Sequence, residues 1–296
     1  MGYSPYSPGS YFNEKNGYSK STEWGVSMKK RSGIITLLTD FGLTDPYLAM
    51  MKGVILSINP NARLVDVSHN ILAGSILQAS GMILETFPFF PEGTVHVVVV
   101  DPGVGSDRRL IALETGGHLF VGPDNGVFWP VIEGSKGSKI IHLRESKYFL
   151  PHLTPTFHGR DVFAPVAAHL SLGVGPGQMG PAINNPVELK APAPYKIDDI
   201  LYGQVMRVDN FGNLITNISR GDFADFVKTS KPCVYIGNMK INGLNNTYSD
   251  VDRGEPLALI DSSDRLEIAI NFGRASEYMG IDPGEIVGTE VRVARY

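Results

Sequence analysis

The sequence has a single cysteine, Cys233, among its 296 residues. One thiol cannot form an intrachain disulfide or a thiolate cage for a metal ion, and a chain with so few thiols suits a reducing compartment such as the cytoplasm. The sequence also lacks the run of roughly 18 apolar residues that a membrane-spanning helix requires, and its N-terminus lacks the apolar core of a signal peptide. We therefore predict a cytoplasmic protein with no disulfide framework and no membrane partner, in which Cys233 is a small buried side chain.

Charge of one sign is also scarce. The formal net charge is −4, and no block of basic residues provides the field that holds nucleic-acid phosphates. The glycine fingerprints of dinucleotide sites and phosphate-binding loops are absent, and so is the GxSxG turn of serine hydrolases. None of the seven histidines forms an HxxxH or HxH pair. These absences argue against nucleic acid, NAD, ATP and a metal ion as partners, and they leave a nucleoside without a phosphate chain open.

The sequence does contain enough apolar residues, 43%, to build substantial cores. Over 33–180, short β-rich runs alternate with helix-compatible segments, which is typical of an α/β domain with a central, mostly parallel sheet. Residues 181–197 are rich in proline and predict a linker. Short strands separated by turns then predict a smaller all-β barrel domain over 198–296. Residues 1–32 have few apolar groups to bury and predict a flexible extension.

The boundaries of individual elements follow from β-rich runs, caps and prolines. Asp45 is expected to cap the first helix, with Pro46 at its first position. The first domain is predicted to contain strands over 34–39, 63–67 and 95–100, helices over 46–57, 74–86 and 161–171, and a hairpin joining 110–114 to 119–121. The second domain is predicted to contain strands over 203–208, 214–218, 233–236, 257–260, 266–270 and 287–293.

Aspartates stand at the ends of three predicted strands. Asp40 follows the first strand, Asp66 closes the second, and Asp101 follows the valine-rich run. In open α/β sheets the ligand crevice lies beyond the carboxyl ends of the strands. One aspartate in such a place is more often a cap for the next turn or helix, but three together favour a polar crevice. A carboxylate at Asp40 suits two hydrogen bonds from ribose hydroxyls.

Candidate partners for Asp101 lie in two segments. The glycine-rich turn after Asp101 leads to Arg108 and Arg109, and an arginine beside the carboxylate would keep it ionised and oriented. Arg109 also fits a solvated or sheet-end position. His158, in the motif TFHGRD before a predicted helix, fits either a catalytic imidazole or a helix cap.

The second domain carries one polar turn of interest, Asp209–Asn213, with the sequence DNFGN. By itself this pattern predicts an ordinary Asx-type hairpin turn. Its carboxylate, two amides and aromatic ring become informative only in combination with the motifs of the first domain.

Taken in order, these motifs resemble those of a known family. They are TDFGLTDPY at 39–47, VDVSH at 65–69, FPEGTVHVVVVDPGVGSDRR at 90–109, VGPDNGVF at 121–128, TFHGRD at 156–161 and DNFGNLITNI at 209–218. The family is that of the S-adenosyl-L-methionine hydroxide adenosyltransferases, or adenosine-forming SAM hydrolases, relatives of the fluorinase and chlorinase. The resemblance extends from about Ile34 to the C-terminus.

The resemblance implies an N-terminal α/β domain, a C-terminal β-barrel, and a homotrimer whose active sites lie between neighbouring chains. It implies hydrolysis of S-adenosyl-L-methionine to adenosine and L-methionine without a metal ion or cofactor. The residues implied to handle water are Asp101, Arg108 and His158. Those implied to bind substrate are Asp40 (ribose hydroxyls), Asp45 and Asp209 (methionine ammonium), Asn213 (adenine), and Asn271 and Ser276 (methionine carboxylate).

Two alternatives stay open. The halogenases of the family deliver fluoride or chloride to the same carbon, but they resemble each other in lacking the Asp–Arg–His set, and the fluorinase has a serine where this sequence has Gly159. A nucleoside-binding protein without turnover would keep the pockets around Asp40 and Asp209. The sequence departs from the halide pattern, and we expect water to be the nucleophile.

Overall fold

The structure, a computed structural model, describes residues 31–281 and 283–296. The predicted flexible extension, 1–32, lies outside the described residues except for its last two. The chain forms two compact units that divide between Leu189 and Lys190. The predicted linker, 181–197, spans this division and contains two short strands, β7 (Ala182–Ile183) and β8 (Tyr195–Ile197).

The first unit is built on a seven-stranded mixed sheet. Its strands are β1 (Ile34–Thr39), β2 (Arg63–Ser68), β3 (Val95–Val99), β4 (Leu110–Thr115), β5 (His118–Pro123), β6 (Lys139–His142) and β7, in the order β2-β1-β3-β5-β4-β6-β7. The four strands β2, β1, β3 and β5 are parallel, and the remaining pairs are antiparallel. The predicted α/β fold with a parallel core is confirmed. The predicted hairpin is also confirmed: Gly116 and Gly117, both with positive φ, connect β4 to β5.

Helices cover both faces of this sheet. They are α1 (Tyr47–Ile58), α2 (Ile76–Thr86), α3 (Trp129–Glu133) and α4 (Ala164–Ser171). Apolar residues of α1 and α4 pack with β1 and β3 in one core, and those of α2 and α3 pack in a second. The helix predicted over 46–57 begins one residue later, and Pro46 is its N-cap, so the prediction that Asp45 caps it is wrong. No helix of the described part of the chain is long and apolar enough to cross a membrane.

The helix predicted over 161–171 differs most from its expected form. A turn of π-helix, Gly159–Phe163, precedes α4, and His158 is its N-cap. Such turns insert one extra residue into a helix and occur often at functional sites. Periodicity did not indicate the turn, because its apolar residues continue the buried face of α4.

A buried polar chain crosses the sheet of the first unit. Thr36 Oγ1 lies 2.8 Å from His96 Nδ1, and His96 Nε2 lies 3.2 Å from His118 Nδ1. Burial, together with the neighbouring His118, lowers the pKa of His96 to about 3, and burial also lowers the pKa of His118. Both rings are therefore neutral at physiological pH, and His96 is a buried core histidine whose two ring nitrogens both have partners.

The second unit is an antiparallel, nearly closed barrel. Its strands are β8, β9 (Ile200–Val208), β10 (Leu214–Ser219), β11 (Pro232–Ile236), β12 (Met239–Asn242), β13 (Pro256–Ile260), β14 (Arg265–Ile270) and β15 (Glu290–Arg295). The sheet order is β12-β11-β15-β9-β10-β14-β13, with β8 on β9, and the end strands contact each other. The predicted barrel is confirmed.

Helices interrupt this barrel at three places, which the sequence pattern did not predict. They are α5 (Arg220–Val227), α6 (Ala275–Tyr278) and α7 (Pro283–Ile286). Ser219 and Asp222 form a capping box at the start of α5. The strand predicted over 287–293 begins later, at Glu290, because α7 and a turn occupy the residues before it.

Candidate active site

Beyond the carboxyl end of β3, the side chains of Asp101 and His158 both contact Arg108. The turn after the strand is closed by a hydrogen bond from Val104 N to Asp101 O, and it returns the chain so that Arg108 faces Asp101. Arg108 Nε donates to Asp101 Oδ1 at 2.6 Å, and Nη2 donates to Oδ2. The two side chains are only 8% and 5% exposed, so this fork-shaped ion pair is shielded from water.

His158 joins this pair through the same guanidinium. Its Nδ1 lies 2.9 Å from Arg108 Nη2. An arginine can only donate, so Nδ1 is the acceptor and the neutral ring carries its proton on Nε2. Burial and the positive charge of Arg108 lower the pKa of His158 despite the opposing effect of Asp101. A neutral imidazole that carries its proton on Nε2 is therefore held by the same guanidinium that pairs with the Asp101 carboxylate.

Arg108 has one further donor in this site. Its Nη1 is buried and has no hydrogen-bond partner within residues 31–281 and 283–296. A buried guanidinium nitrogen without a partner is costly, so a bound water or substrate oxygen would stabilise it.

Arg109, the adjacent residue, has a different surrounding. Its Nε donates to Asp124 Oδ2 at 2.7 Å and its Nη1 donates to Asn185 Oδ1 at 2.8 Å. Asp124 is 2% exposed in its side chain and also accepts from the backbone N–H of Val187. Arg109 thus ties β4 to the end of the first unit, in agreement with the sheet-end interpretation.

The loops that carry Asp40 and His158 are joined by three aromatic rings. Phe41, Tyr47 and Phe157 pack edge to face, with ring centroids 5.3 to 5.9 Å apart. Such pairs contribute about 0.5–1.5 kcal/mol each beyond their buried area. The rings therefore hold the TDFGLTDPY and TFHGRD motifs in one cluster, which sequence reasoning did not predict.

The other predicted acidic residues of the first unit have separate surroundings. Asp40 Oδ2 accepts from Gly74 N at 2.8 Å, and Asp45 is exposed. Asp66 lies inside β2, opposite Leu37, and not at the strand end where it was expected. Its carboxylate contacts Lys52 Nζ at 2.6 Å and His69 Nε2 at 3.1 Å. The carboxylate of Asp66 is therefore already engaged by side chains of the first unit.

In the second unit, Asp209 and Asn213 belong to one turn. Asp209 Oδ1 accepts from Phe211 N and Asn213 N, and Oδ2 accepts from Asn213 Nδ2 at 3.0 Å. The Asx-type turn is therefore confirmed. Gly212 O accepts from Ala275 N and at 3.4 Å from Ser276 N, so this turn contacts the start of α6.

Asn271 and Ser276 are both buried in the second unit. Asn271 Nδ2 donates to Val251 O at 2.8 Å, so that amide already holds a loop. Ser276 Oγ is buried and has no hydrogen-bond partner among the described residues. Of the two, the Ser276 hydroxyl is the group that a ligand would satisfy.

A cavity of about 430 Å³ opens beside this turn. Its walls are largely aromatic and apolar, with two polar residues: it is lined by Phe211, Asn213, Tyr248, Ile270, Phe272, Gly273 and Arg274. Phe211 and Phe272 are 72% and 80% exposed. This volume and lining suit a small aromatic ligand. Sequence reasoning identified Asn213 as part of this site but missed Tyr248, Phe272 and Arg274. The one signal among these three residues is the positive φ of Phe272, and it is visible only in the structure.

Groups of three or more His, Cys, Asp or Glu side chains placed to hold a metal ion do not occur in the described ranges.

Comparison with known proteins identifies the family. The family model for the SAM hydroxide adenosyltransferase N-terminal domain matches residues 35–180, and that for the C-terminal domain matches 203–288. The chain belongs to the SAM hydroxide adenosyltransferase family. The two matched segments correspond to the α/β unit and the barrel.

Individual proteins that are similar to this chain match most of its length. A protein named (R)-S-adenosyl-L-methionine hydrolase from Thermus thermophilus is 38% identical, over 84% of this chain and 96% of that protein. A fluorinase from Actinoplanes sp. is 28% identical, over 80% of this chain and 91% of that protein. A crystal structure of an uncharacterized conserved protein from Thermotoga maritima has a TM-score of 0.80 at 35% identity and covers 88% of this chain and all of that one.

Proposed function

We propose that this protein is an enzyme that hydrolyses S-adenosyl-L-methionine to adenosine and L-methionine. The observation that carries the proposal is the shielded contact of Asp101, Arg108 and His158, the three residues expected to handle water. The name of the Thermus thermophilus relative supports the same substrate and reaction.

The reaction is an in-line displacement at the ribose 5′ carbon. Water attacks that carbon, the carbon–sulfur bond breaks, and the electron pair stays on sulfur, so the methionine thioether leaves without needing a proton. A stored hydroxide at pH 7 would cost about 12 kcal/mol, given a pKa of 15.7 for bulk water. Orientation of the water with proton removal during attack costs less.

The three side chains divide this task. The lone pairs of the Asp101 carboxylate not used by Arg108 accept a hydrogen of the water and receive its proton. The Nε2–H of neutral His158 donates to the water oxygen and orients it. Arg108 cannot be the base, because its pKa exceeds 12, so it aligns the other two groups. His158 acts in its neutral form, and its pKa is lowered. The rate of hydrolysis is therefore retained at neutral pH and falls only in acid.

The remaining predicted residues bind substrate. Asp40 accepts from the ribose hydroxyls, Asp45 and Asp209 attract the methionine ammonium, and Asn213 contacts adenine in the aromatic cavity. Asn271 and Ser276 contact the methionine carboxylate, for which the Ser276 hydroxyl has a free donor. No metal ion or other cofactor takes part.

The configuration at sulfur is a finer part of this proposal. The Thermus thermophilus relative is named for the (R) form of the sulfonium, and we propose the same preference for this enzyme. Separate assays with the two sulfonium epimers test it: faster turnover of the (R) epimer supports the preference, and faster turnover of the (S) epimer contradicts it.

Isotope labelling tests the reaction. Incubation with S-adenosyl-L-methionine in oxygen-18 water should place the label on the 5′ oxygen of adenosine, detected by mass spectrometry. Asp101→Asn keeps the shape of the side chain but removes its basicity, so we expect turnover to fall by about 10²-fold or more while substrate still binds. Unlabelled adenosine, or an Asp101→Asn variant with the wild-type rate, would contradict the mechanism.

The same assay separates the two alternatives. Addition of chloride or fluoride should leave the product unchanged, whereas a halogenase would form a 5′-halogenated nucleoside. Binding of substrate without any adenosine would indicate a nucleoside-binding protein. Gly159 favours water over halide, because a Cβ there would lie 3.3 Å from Met51 Sδ and from Phe157 Cε2, which leaves little room for the serine of the fluorinase.

We also propose that the enzyme is a cytoplasmic homotrimer in which residues of neighbouring chains complete each active site. The free, buried thiol of Cys233 suits a reducing compartment. Large apolar side chains are exposed in each unit, among them Leu43 in the first and Phe272 in the second. Exposed apolar groups of this kind favour burial in an assembly.

A further inference from the structure

A carboxyl group that the proposed reaction does not use is buried in the barrel. Glu267 lies in the middle of β14, a strand whose six residues are all buried, and is itself 3% exposed. Burying a carboxyl group is costly unless hydrogen bonds compensate. Glu267 Oε1 accepts from the hydroxyl of Tyr248 at 2.8 Å.

Tyr248 lies in a wall of the 430 Å³ cavity. It begins a short 3₁₀ turn, Tyr248–Asp250, whose entry is anchored because Asp250 Oδ2 accepts from Asn246 N at 2.8 Å and Thr247 N at 3.2 Å. The backbone of Tyr248 is therefore held from the loop side, and its hydroxyl is held by Glu267 from the barrel side.

We propose that Glu267 is a positioning residue that fixes the Tyr248 hydroxyl as a hydrogen-bond acceptor for a nucleoside in the cavity. This inference rests on the proposed function, which supplies the nucleoside. A phenol has one hydrogen, and here Glu267 receives it. The lone pairs of the phenolic oxygen are what remains for a ligand, and they select an amine or hydroxyl donor over an acceptor.

Protonation of Glu267 would reverse this polarity. Burial, together with Asp209 and Asp261, raises the pKa of Glu267 to about 7, against the lowering effects of Tyr248 and Arg207. A protonated Glu267 can donate its own hydrogen to the phenolic oxygen, and the hydrogen of Tyr248 is then free to turn toward the cavity. The cavity thus presents an acceptor above about pH 7 and a donor below it.

Adenosine is a suitable probe because it is uncharged and is not consumed. Its dissociation constant for the wild-type protein, measured by calorimetry, should rise about threefold from pH 8 to pH 6. Over this range the ionised fraction of a group with a pKa of about 7 falls from about 0.9 to 0.1, and the protonated form should bind about fivefold more weakly, as expected when the acceptor is lost. The absence of charge on the probe excludes simple attraction of a cation by the carboxylates as the cause.

Three variants sharpen this test. Glu267→Gln keeps a carbonyl acceptor at every pH, so its affinity at pH 8 should lie within about twofold of wild type and should not change down to pH 6. Tyr248→Phe should bind about fivefold more weakly at pH 8 and also lose the pH dependence. Tyr195→Phe, an exposed tyrosine of the same unit that does not line the cavity, serves as the matched control. Thermal melting verifies that each variant is folded.

Three results would overturn the inference: affinity of the wild type that is independent of pH, a Glu267→Gln variant that keeps the wild-type slope, or a Tyr248→Phe variant that binds as tightly as wild type at pH 8. The hydrolysis assay is separate. Adenosine binding that depends on pH, without any hydrolysis, would contradict only the proposed reaction. Hydrolysis together with a dissociation constant of adenosine that does not change with pH would contradict only the role of Glu267.

Discussion

Two adjacent arginines, Arg108 and Arg109, show how the position of a single residue decides its role. Both donate to an aspartate within the first unit. The guanidinium of Arg108 also contacts His158 and keeps a buried donor, Nη1, without a partner among the described residues. Arg109 instead uses its donors on Asp124 and Asn185. The first arrangement suits water handling, and the second stabilises the fold.

Replacement of each arginine by lysine should therefore reduce the turnover of the folded enzyme at Arg108 but not at Arg109. Arg108→Lys keeps the charge but loses the fork that aligns Asp101 and His158, so the turnover of the folded enzyme should fall on the order of 10²-fold. Arg109→Lys should lower the free energy of unfolding by about 1–3 kcal/mol and leave the turnover of the folded enzyme near wild type. Steady-state kinetics and chemical denaturation of both variants test the pair. Equal losses of activity at both positions would contradict the assignment.

At the scale of elements, the parallel strands of the first unit carry two separate groups of polar residues. The proposed site lies beyond their carboxyl ends, and a buried chain of hydrogen-bonded side chains lies within the sheet. Asp101 and Asp40 follow β3 and β1, which are paired in parallel with Thr39 opposite Val99. The polar chain of Thr36, His96 and His118 crosses β1, β3 and β5 nearer the beginnings of these strands. The two neutral histidines form a hydrogen bond with each other there, so the buried central strands tolerate these polar side chains. A charged ring at the same place would destabilise the sheet.

This histidine chain makes stability dependent on pH. His96 has a pKa of 6.5 when unfolded and about 3 when folded, so the unfolded chain binds more protons as the pH falls below 6.5. Stability is then lost on acidification, by about 1.5 kcal/mol between pH 6.5 and pH 5 from His96 alone, with a further loss from His118. Urea denaturation at several pH values measures the slope.

A substitution among the buried histidines provides the control for the pH dependence of the free energy of unfolding. His118→Gln should make the dependence shallower, whereas His152→Gln, at an exposed position, should leave it unchanged. A free energy of unfolding that is flat from pH 6.5 to pH 5 in the wild type would show that the buried rings do not control acid stability.

At the scale of the whole molecule, the proposed substrate requires groups that the two units carry separately. The water-handling residues and Asp40 belong to the first unit, and the aromatic cavity with Asp209 belongs to the second. A homotrimer with shared sites, as proposed, brings such groups together between neighbouring chains.

Subunit mixing tests this assembly. Light scattering should give three times the mass of one chain. Asp101→Asn and Asp209→Asn trimers should each be inactive, and reassembly of an equal mixture from dissociated chains should recover about a quarter of the wild-type activity, because one site in four then receives both intact aspartates. A single-chain mass with full activity, or no recovery in reassembled mixed trimers, would contradict shared sites.

Much of the fold follows from local pattern. The valine-rich β3, the hairpin at Gly116 and Gly117, and the regular turns of the barrel were predictable because burial and backbone geometry restrict which residues such elements accept. The small helices α6 and α7 were not, because four residues carry too little periodicity to distinguish a helix from a turn. Asp66 was expected to close its strand, but the strand continues to Ser68, one residue beyond the predicted run.

The sequence by itself determined that an acid follows β3 and that its motifs resemble those of one family, because these depend on residue type and order. Only the tertiary structure decided which acids are available for chemistry, because that depends on partners distant in the chain. Asp66 is paired with Lys52, Arg109 with Asp124 and Glu267 with Tyr248, while Asp101 and His158 meet across one guanidinium. These hydrogen bonds join residues 7 to 50 positions apart in the chain, and local pattern does not encode such distances.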